Sequence, residues 1–180
     1  MRVVAVEVED FGVFSGKHRF PLVASTARSG HPARTLIVGH NGSGKSTLFR
    51  AISLAIYGPV SLGSRASRQA YQEYLGSLVH RGAPGLPTSG ATAARVAVDL
   101  EYIRGGASES LRLERSWQRR GASLAETATA NWLTDDGSIA GPVEEHLVAE
   151  LLPSDLRKMM LVDVALVDEL TQVLQSPGAL

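Results

Sequence analysis

Thr35-Leu36-Ile37-Val38-Gly39-His40-Asn41-Gly42-Ser43-Gly44-Lys45-Ser46-Thr47-Leu48 is the stretch on which the reading of this chain turns. Its first four residues are apolar without alternation, as in a strand covered on both faces within a parallel sheet. Gly39 to Gly44 form a glycine-rich turn. From Lys45 the spacing becomes helical, with Leu48, Ile52, Ala55 and Ile56 on one face, and Gly58-Pro59 supplies a stop signal. Residues Gly39 to Ser46 fit G-x-x-x-x-G-K-[ST], a pattern whose fixed positions each answer a chemical need.

Glycines let the main chain curl around an anion with no Cβ in the way, so that successive N–H groups point at phosphate oxygens. The helix starting near Lys45 adds the positive end of its dipole at the same place. Lys45 supplies a full charge for β- and γ-phosphates, and the Ser46 hydroxyl is an oxygen ligand suited to Mg²⁺. The expected binding residues are Gly39, Asn41, Gly42, Ser43, Gly44, Lys45, Ser46 and Thr47, with Ser46 also a metal ligand. His40 reads as a spacer within the turn or as a further catalytic group.

Working outward, Val4, Val6 and Val8 alternate with Ala5, Glu7 and Glu9, the period of a half-buried strand. Phe11 to Gly16 read as a connection and His18 to Leu22 as a second short strand. Residues 24–34 have loop composition. Beyond the motif, a helix is expected from about Ser67 to His80, with Tyr71, Tyr74, Leu75 and Leu78 inward. A Pro/Gly-rich loop follows from Gly82 to Gly90. Arg95 to Ile103 and Glu109 to Gln118 then flank Gly105-Gly106 as a hairpin. A strand is expected near Ala128 to Leu133. Pro142 is expected to open a helix, with Glu144 and Glu145 favourable at its start. Ser154 or Asp155 caps a last segment reaching about Leu174.

Composition narrows the classes. Eighteen Lys and Arg balance eighteen Asp and Glu in 180 residues, which argues against a strongly basic nucleic-acid binder but leaves room for a local patch. With 44% hydrophobic residues the chain can build one sizeable core, and its length suits one domain or one piece of a larger one. The absence of cysteine excludes disulfides, thiolate metal sites and a Cys nucleophile. The five histidines have no metal-ligand spacing. No run approaches the roughly 18 apolar residues of a membrane span, and no targeting segment opens the chain, so a cytoplasmic location with no membrane partner is expected.

The interior Asn41-Gly42-Ser43-Gly44-Lys45-Ser46-Thr47 resembles the form typical of ABC-type ATPases, including their SMC-like branch. There the motif lies near the N-terminus, after a strand pair bearing an element like Asp10-Phe11-Gly12-Val13-Phe14-Ser15-Gly16-Lys17. The sequence is further similar to the N-terminal ATPase lobe of the DndD family, SMC-like proteins of bacterial DNA phosphorothioation. Phe11 to His18, Tyr57-Gly58, Tyr71 to Gly82, Leu113-Glu114-Arg115-Ser116-Trp117 and Leu152-Pro153 carry that similarity. It implies an α/β P-loop NTPase, an ABC/SMC-like head lobe with a mixed sheet plus an antiparallel β layer. Residues 1–180 would form a single lobe preceding a coiled coil. The implied cofactors are ATP and Mg²⁺. The implied partners are a C-terminal half in the same or a separate chain, a second copy in a homodimer around nucleotide, DNA, and other phosphorothioation proteins.

Such ATPases also need a Walker B strand and a Ser-Gly-Gly signature loop, and no signature loop occurs here. Met160-Leu161-Val162-Asp163 departs from the Asp-Gly-Glu ending usual in the family. Asp163 either positions water or Mg²⁺, where ABC proteins use a glutamine, or simply ends a strand. Val164 to Glu169 resembles Walker B, with Asp168 orienting the Mg²⁺ shell and Glu169 polarising the attacking water. The competing reading makes Asp155 to Leu174 a strand followed by a helix, with Leu166, Leu170 and Leu174 facing the core. Lys17 and Arg28 stand where SMC-like proteins often contact base or ribose, or are solvated surface. Arg115, Arg119 and Arg120 with Trp117 form either a DNA-backbone contact or a solvated hairpin face. The alternatives to phosphorothioation are general double-strand break repair, a non-hydrolysing nucleotide-sensing module, and a self-contained kinase or GTPase using Asp168.

Overall fold

In a computed structural model, which describes residues 1–23, 35–63, 66–81 and 91–153, the alternation at the N-terminus becomes the centre of a large sheet. Strand β1 (Arg2–Phe11) lies between β2 (Phe14–Pro21) and β3 (Ala93–Arg104). β4 (Ala107–Arg120), β5 (Ser123–Leu133) and β6 (Ile139–Pro142) complete an antiparallel sheet of six strands ordered β2-β1-β3-β4-β5-β6. Register places Val6 beside Val98, Val98 beside Leu113, and Leu113 beside Ala130. One face therefore carries Val6, Val8, Val96, Val98, Leu100, Leu111 and Leu113, all buried.

Two helices cover that face. α1 (Lys45–Tyr57) lies over β1, β3 and β4 and buries Leu48, Ala51, Leu54 and Ala55. It stops at Gly58, whose φ of 51° favours a residue with no Cβ. A Cβ there would also stand 2.5 Å from the guanidinium carbon of Arg115. A 3-10 turn (Gly58–Leu62) leads toward α2 (Arg68–Leu78). Ser67 caps α2 by accepting from the Ala70 N–H, and Tyr71, Leu75 and Leu78 point inward. Tyr74 is only half-buried. Phe11 and Trp117, both fully buried, stack at 6.2 Å where β1, β4 and α2 meet.

The opposite face is a lattice of ion pairs. Glu7 and Asp99 are only 4% exposed, and both carboxylates are met by basic side chains. Arg95 bonds Glu9 at 3.1 Å, Glu114 at 2.7 Å and Glu7; Arg112 and Arg19 reach Asp99 at 2.7 and 2.6 Å; Lys17 reaches Glu7 at 3.2 Å. Cations and anions alternate across strands and cancel locally, so this face offers no cationic field to a phosphate backbone.

Several expectations change. The Phe11–Gly16 connection shrinks to a tight turn, because β1 runs to Phe11 and β2 starts at Phe14. β5 begins at Ser123, its Thr- and Ala-rich start held by pairing with β4 rather than by hydrophobicity. Pro142 does not open a helix: it ends edge strand β6, where its missing N–H costs little. α3 (Glu145–Leu151) starts after the cap residue Glu144. The largest change concerns Thr35 to Val38. No strand pairing is found for them among the described residues, and Leu36 and Val38 are 86% and 82% exposed. The antiparallel layer is present; a mixed sheet built on the Thr35–Val38 strand is not found among the described residues. No helix of the described residues is long and apolar enough to cross a membrane.

Candidate functional site

The glycine turn joins exposed Leu36–Val38 to the first turn of α1, and its backbone takes the shape its residues permit. Gly42 and Gly44 have φ of 81° and 99°, a region L side chains rarely adopt. Ser43 N–H donates to the His40 carbonyl at 3.2 Å, and Leu48 N–H to the Gly44 carbonyl at 2.8 Å. The ammonium of Lys45 folds back across the turn and donates to the carbonyls of Gly39 (2.7 Å) and His40 (2.8 Å). The Ser46 side chain is exposed, Thr47 is buried, and Asn41 and Ser43 are exposed along the turn. One side of the loop thus carries an ammonium and a free hydroxyl at the N-terminal end of a 13-residue helix. The His40 imidazole is exposed; its contribution to the turn is its carbonyl.

The β1–β2 turn supports this loop from below. A Cβ on Gly44 would stand 2.5 Å from the Phe14 ring and 2.8 Å from Val13, and a Cβ on Gly12 would run into the Thr47 methyl. Gly12 itself has φ of 59°. Asp10 is the one described non-glycine residue with positive φ, at 47°, and its Oδ1 accepts the Gly16 N–H at 2.8 Å. An Asp side chain that bonds nearby backbone is one of the few that tolerate that region. Phe14 tilts against His18 (5.5 Å) and Phe20 (5.3 Å), forming an aromatic group beside the loop. Sequence reading missed the contact of the turn with Gly44 and Thr47. The Phe11-Gly12-Val13-Phe14 run held the signal, as three apolar side chains and a glycine too closely spaced for an ordinary solvated turn.

The remaining candidates divide. Lys17 lies on the charged face paired with Glu7, away from the loop. Trp117 is no stacking platform, because its ring is 1% exposed against Phe11. Arg115 is bound to Glu126 at 2.5 Å beneath Gly58, so its guanidinium is engaged within the fold. Arg119 and Arg120 stay exposed at the β4–β5 hairpin. Arg28, Asp163, Asp168 and Glu169 lie outside the described residues, so the loop and these acids are not brought together here.

Tyr71 and Trp117 meet the Arg115–Glu126 pair at the α2–sheet junction, where the Tyr71 hydroxyl and the Trp117 indole N–H are buried without a well-formed hydrogen bond. Burial, reinforced by the Glu126 carboxylate, pushes the Tyr71 phenol well above the ordinary tyrosine range. The neutral form is the one the fold holds. Its stabilising effect is complete below the unfolded value of about 10 and disappears as pH rises through the folded one. Urea midpoints should therefore fall more steeply above about pH 10 in the parent than in Tyr71→Phe, while the two differ by no more than about 1 kcal/mol at neutral pH. Parallel alkaline limbs would show that Tyr71 does not drive the loss.

No curated protein matches the chain. Residues 6–150 match the family model described as AAA domain, a span running from β1 through α3 and including the whole Gly39–Thr47 loop. On that match this protein belongs to the AAA domain family, and residues 6–150 make up an SMC-like ATPase lobe.

Proposed function

We propose that the chain is the P-loop lobe of an SMC-like ATPase, binding Mg-ATP at Gly39–Thr47 and hydrolysing it only with a C-terminal half. The observation that carries this reading is the loop itself, with Gly42 and Gly44 in left-handed conformations and Lys45 and Ser46 on its open side at the start of α1. The residues present fit the ligand. A Cβ at Gly44 is sterically barred, the Lys45 ammonium rests on two loop carbonyls within reach of an incoming phosphate, and the Ser46 hydroxyl is free for a hard cation. When bound, Mg²⁺ supplies charge neutralisation at the β- and γ-phosphates. In this reading Gly39, Asn41, Gly42, Ser43 and Gly44 line the phosphate path and Thr47 backs it from the helix.

The partner half follows from chemistry. An apolar segment, Thr35 to Val38, enters the loop with Leu36 and Val38 in solvent, and a run of this composition is suited to cover by further strands in a nucleotide-binding sheet. We assign those strands, the Walker B acids and the signature loop to the C-terminal half, in the same or a separate chain. Asp163, Asp168 and Glu169 stay proposals as catalytic or metal-shell acids. Head-to-head dimerisation around nucleotide would then couple turnover to DNA processing. DNA phosphorothioation, with its other proteins as partners, is the pathway favoured by the Tyr71–Gly82 block.

Steady-state hydrolysis separates these roles. The 180-residue chain alone should hydrolyse Mg-ATP at background, and adding the C-terminal half should raise turnover into the range of about 1 per second or more. Turnover at background in the assembled protein would instead make it a nucleotide-sensing module.

A further inference from the structure

The end of α2 and the residues after it, Leu78 to His80, lie against the turn that supports the phosphate loop. Gly12 N–H donates to the Leu78 carbonyl at 2.5 Å, and His80 N–H donates to the Asp10 carbonyl at 2.8 Å. The His80 ring closes the set. Its Nδ1 lies 2.9 Å from the Gly12 carbonyl, and because a carbonyl only accepts, Nδ1 carries the proton. The two main-chain bonds make Phe11 and Val79 an isolated antiparallel β-bridge. Three hydrogen bonds, two of the main chain and one of the ring, thus fasten residues 10–12 to residues 78–80, across 68 positions of sequence.

The fastened turn is the same one that touches the loop. Gly12 sits against Thr47 with no room for a Cβ, and Val13 and Phe14 sit against Gly44. Displacement of Gly12 is therefore passed to Thr47, and displacement of its neighbours to Gly44. Close-packed contacts transmit such shifts because they leave no slack. His80 is half-buried, and its ring bonds one main-chain oxygen.

We infer that His80 is a positioning residue for the phosphate loop, acting through the Gly12 carbonyl on Thr47 and Gly44. The inference rests on the reading of Gly39–Thr47 as the ATP site. It gives the end of α2 a role in nucleotide affinity: whatever moves α2 changes the grip on ATP, and ATP in turn tightens the α2 junction, since coupling between sites is reciprocal.

Two experiments on the 180-residue chain test it. His80→Leu removes the ring donor, whereas His80→Asn places an amide donor close to the position of Nδ1. His80→Leu should weaken Mg-ATP binding about tenfold, the equivalent of one buried hydrogen bond, and His80→Asn should restore it to within about threefold of the parent. A merely structural role would lower the melting midpoint of both and leave affinity in the folded protein unchanged, which would overturn the inference. The second experiment needs no variant and stands even where His80→Leu fails to fold. Saturating Mg-ATP should slow amide exchange at Gly12 and His80 as well as at Gly42 to Ser46. Slowed exchange in the loop without any change at Gly12 and His80 refutes the positioning role alone. No change in either place refutes the ATP site, and the positioning role with it.

Discussion

Lys45→Ala will lose Mg-ATP affinity by about a hundredfold or more while keeping its fold. A single ammonium facing a triphosphate in a loop lined by backbone N–H groups contributes a charge-assisted bond of roughly 1.5–3 kcal/mol, and its Coulomb field adds to that. Among the described residues the same ammonium donates to two loop carbonyls near solvent, so its removal should change unfolding free energy by about 1 kcal/mol or less. Parallel calorimetric titration and urea unfolding of parent and variant check both halves. Equal ATP affinity in Lys45→Ala would place the nucleotide elsewhere, and collapse of the fold would show that the loop holds α1 in place.

Trp117→Ala will have the largest effect on stability, costing about 3–5 kcal/mol. The ring is 1% exposed, stacks on Phe11 at 6.2 Å, and joins β4 to the β1 end that carries the loop-supporting turn. At about 2–4 °C per kcal/mol for a chain of this size, the melting midpoint should drop by about 10 °C. Arg119→Ala and Arg120→Ala, at exposed positions of the neighbouring hairpin, should change stability by no more than about 0.5 kcal/mol. If DNA affinity of folded Trp117→Ala matches the parent, the tryptophan is core alone. A midpoint shift under about 3 °C would contradict its place in the core.

How much of this was legible in the residues depends on how local the physics is. The glycine turn could be read outright, because glycine is the residue that readily takes φ of 81° and 99°, as Gly42 and Gly44 do. Period-two alternation gave β1, and the Gly105-Gly106 turn gave the β3–β4 hairpin with its long strands. Ser67 marked the start of α2. The charged face was not legible: an acid at an outward strand position reads as solvated, and only the pairing of β1 with β2 and β3 makes Glu7 a buried hub.

Other misreadings have the same origin. Arg115 and Trp117 look like a cation beside an aromatic, a nucleic-acid pattern, until β5 brings up Glu126 and β1 brings up Phe11. Thr35 to Val38 has the right composition for a covered strand, yet no pairing is found for it among the described residues and Leu36 and Val38 stand in solvent, because cover is not set by the local run. Pro142 could open a helix or end an edge strand; the pairing of β6 with β5 decided it. The seat of Gly12 against Thr47 and the grip of His80 on Gly12 join residues far apart in the chain, so no window of sequence displays them.

Backbone amides at Gly42, Gly44, Lys45 and Ser46 offer the most direct test, followed by heteronuclear NMR while Mg-ATP is added to the folded chain. Binding in the range of about 1 μM to 1 mM should shift those four resonances together along one saturating curve, and leave β5 and β6 unmoved. Resonances that stay still at about 5 mM Mg-ATP, in a sample whose sheet signals are intact, would contradict the assignment of this loop as the triphosphate site.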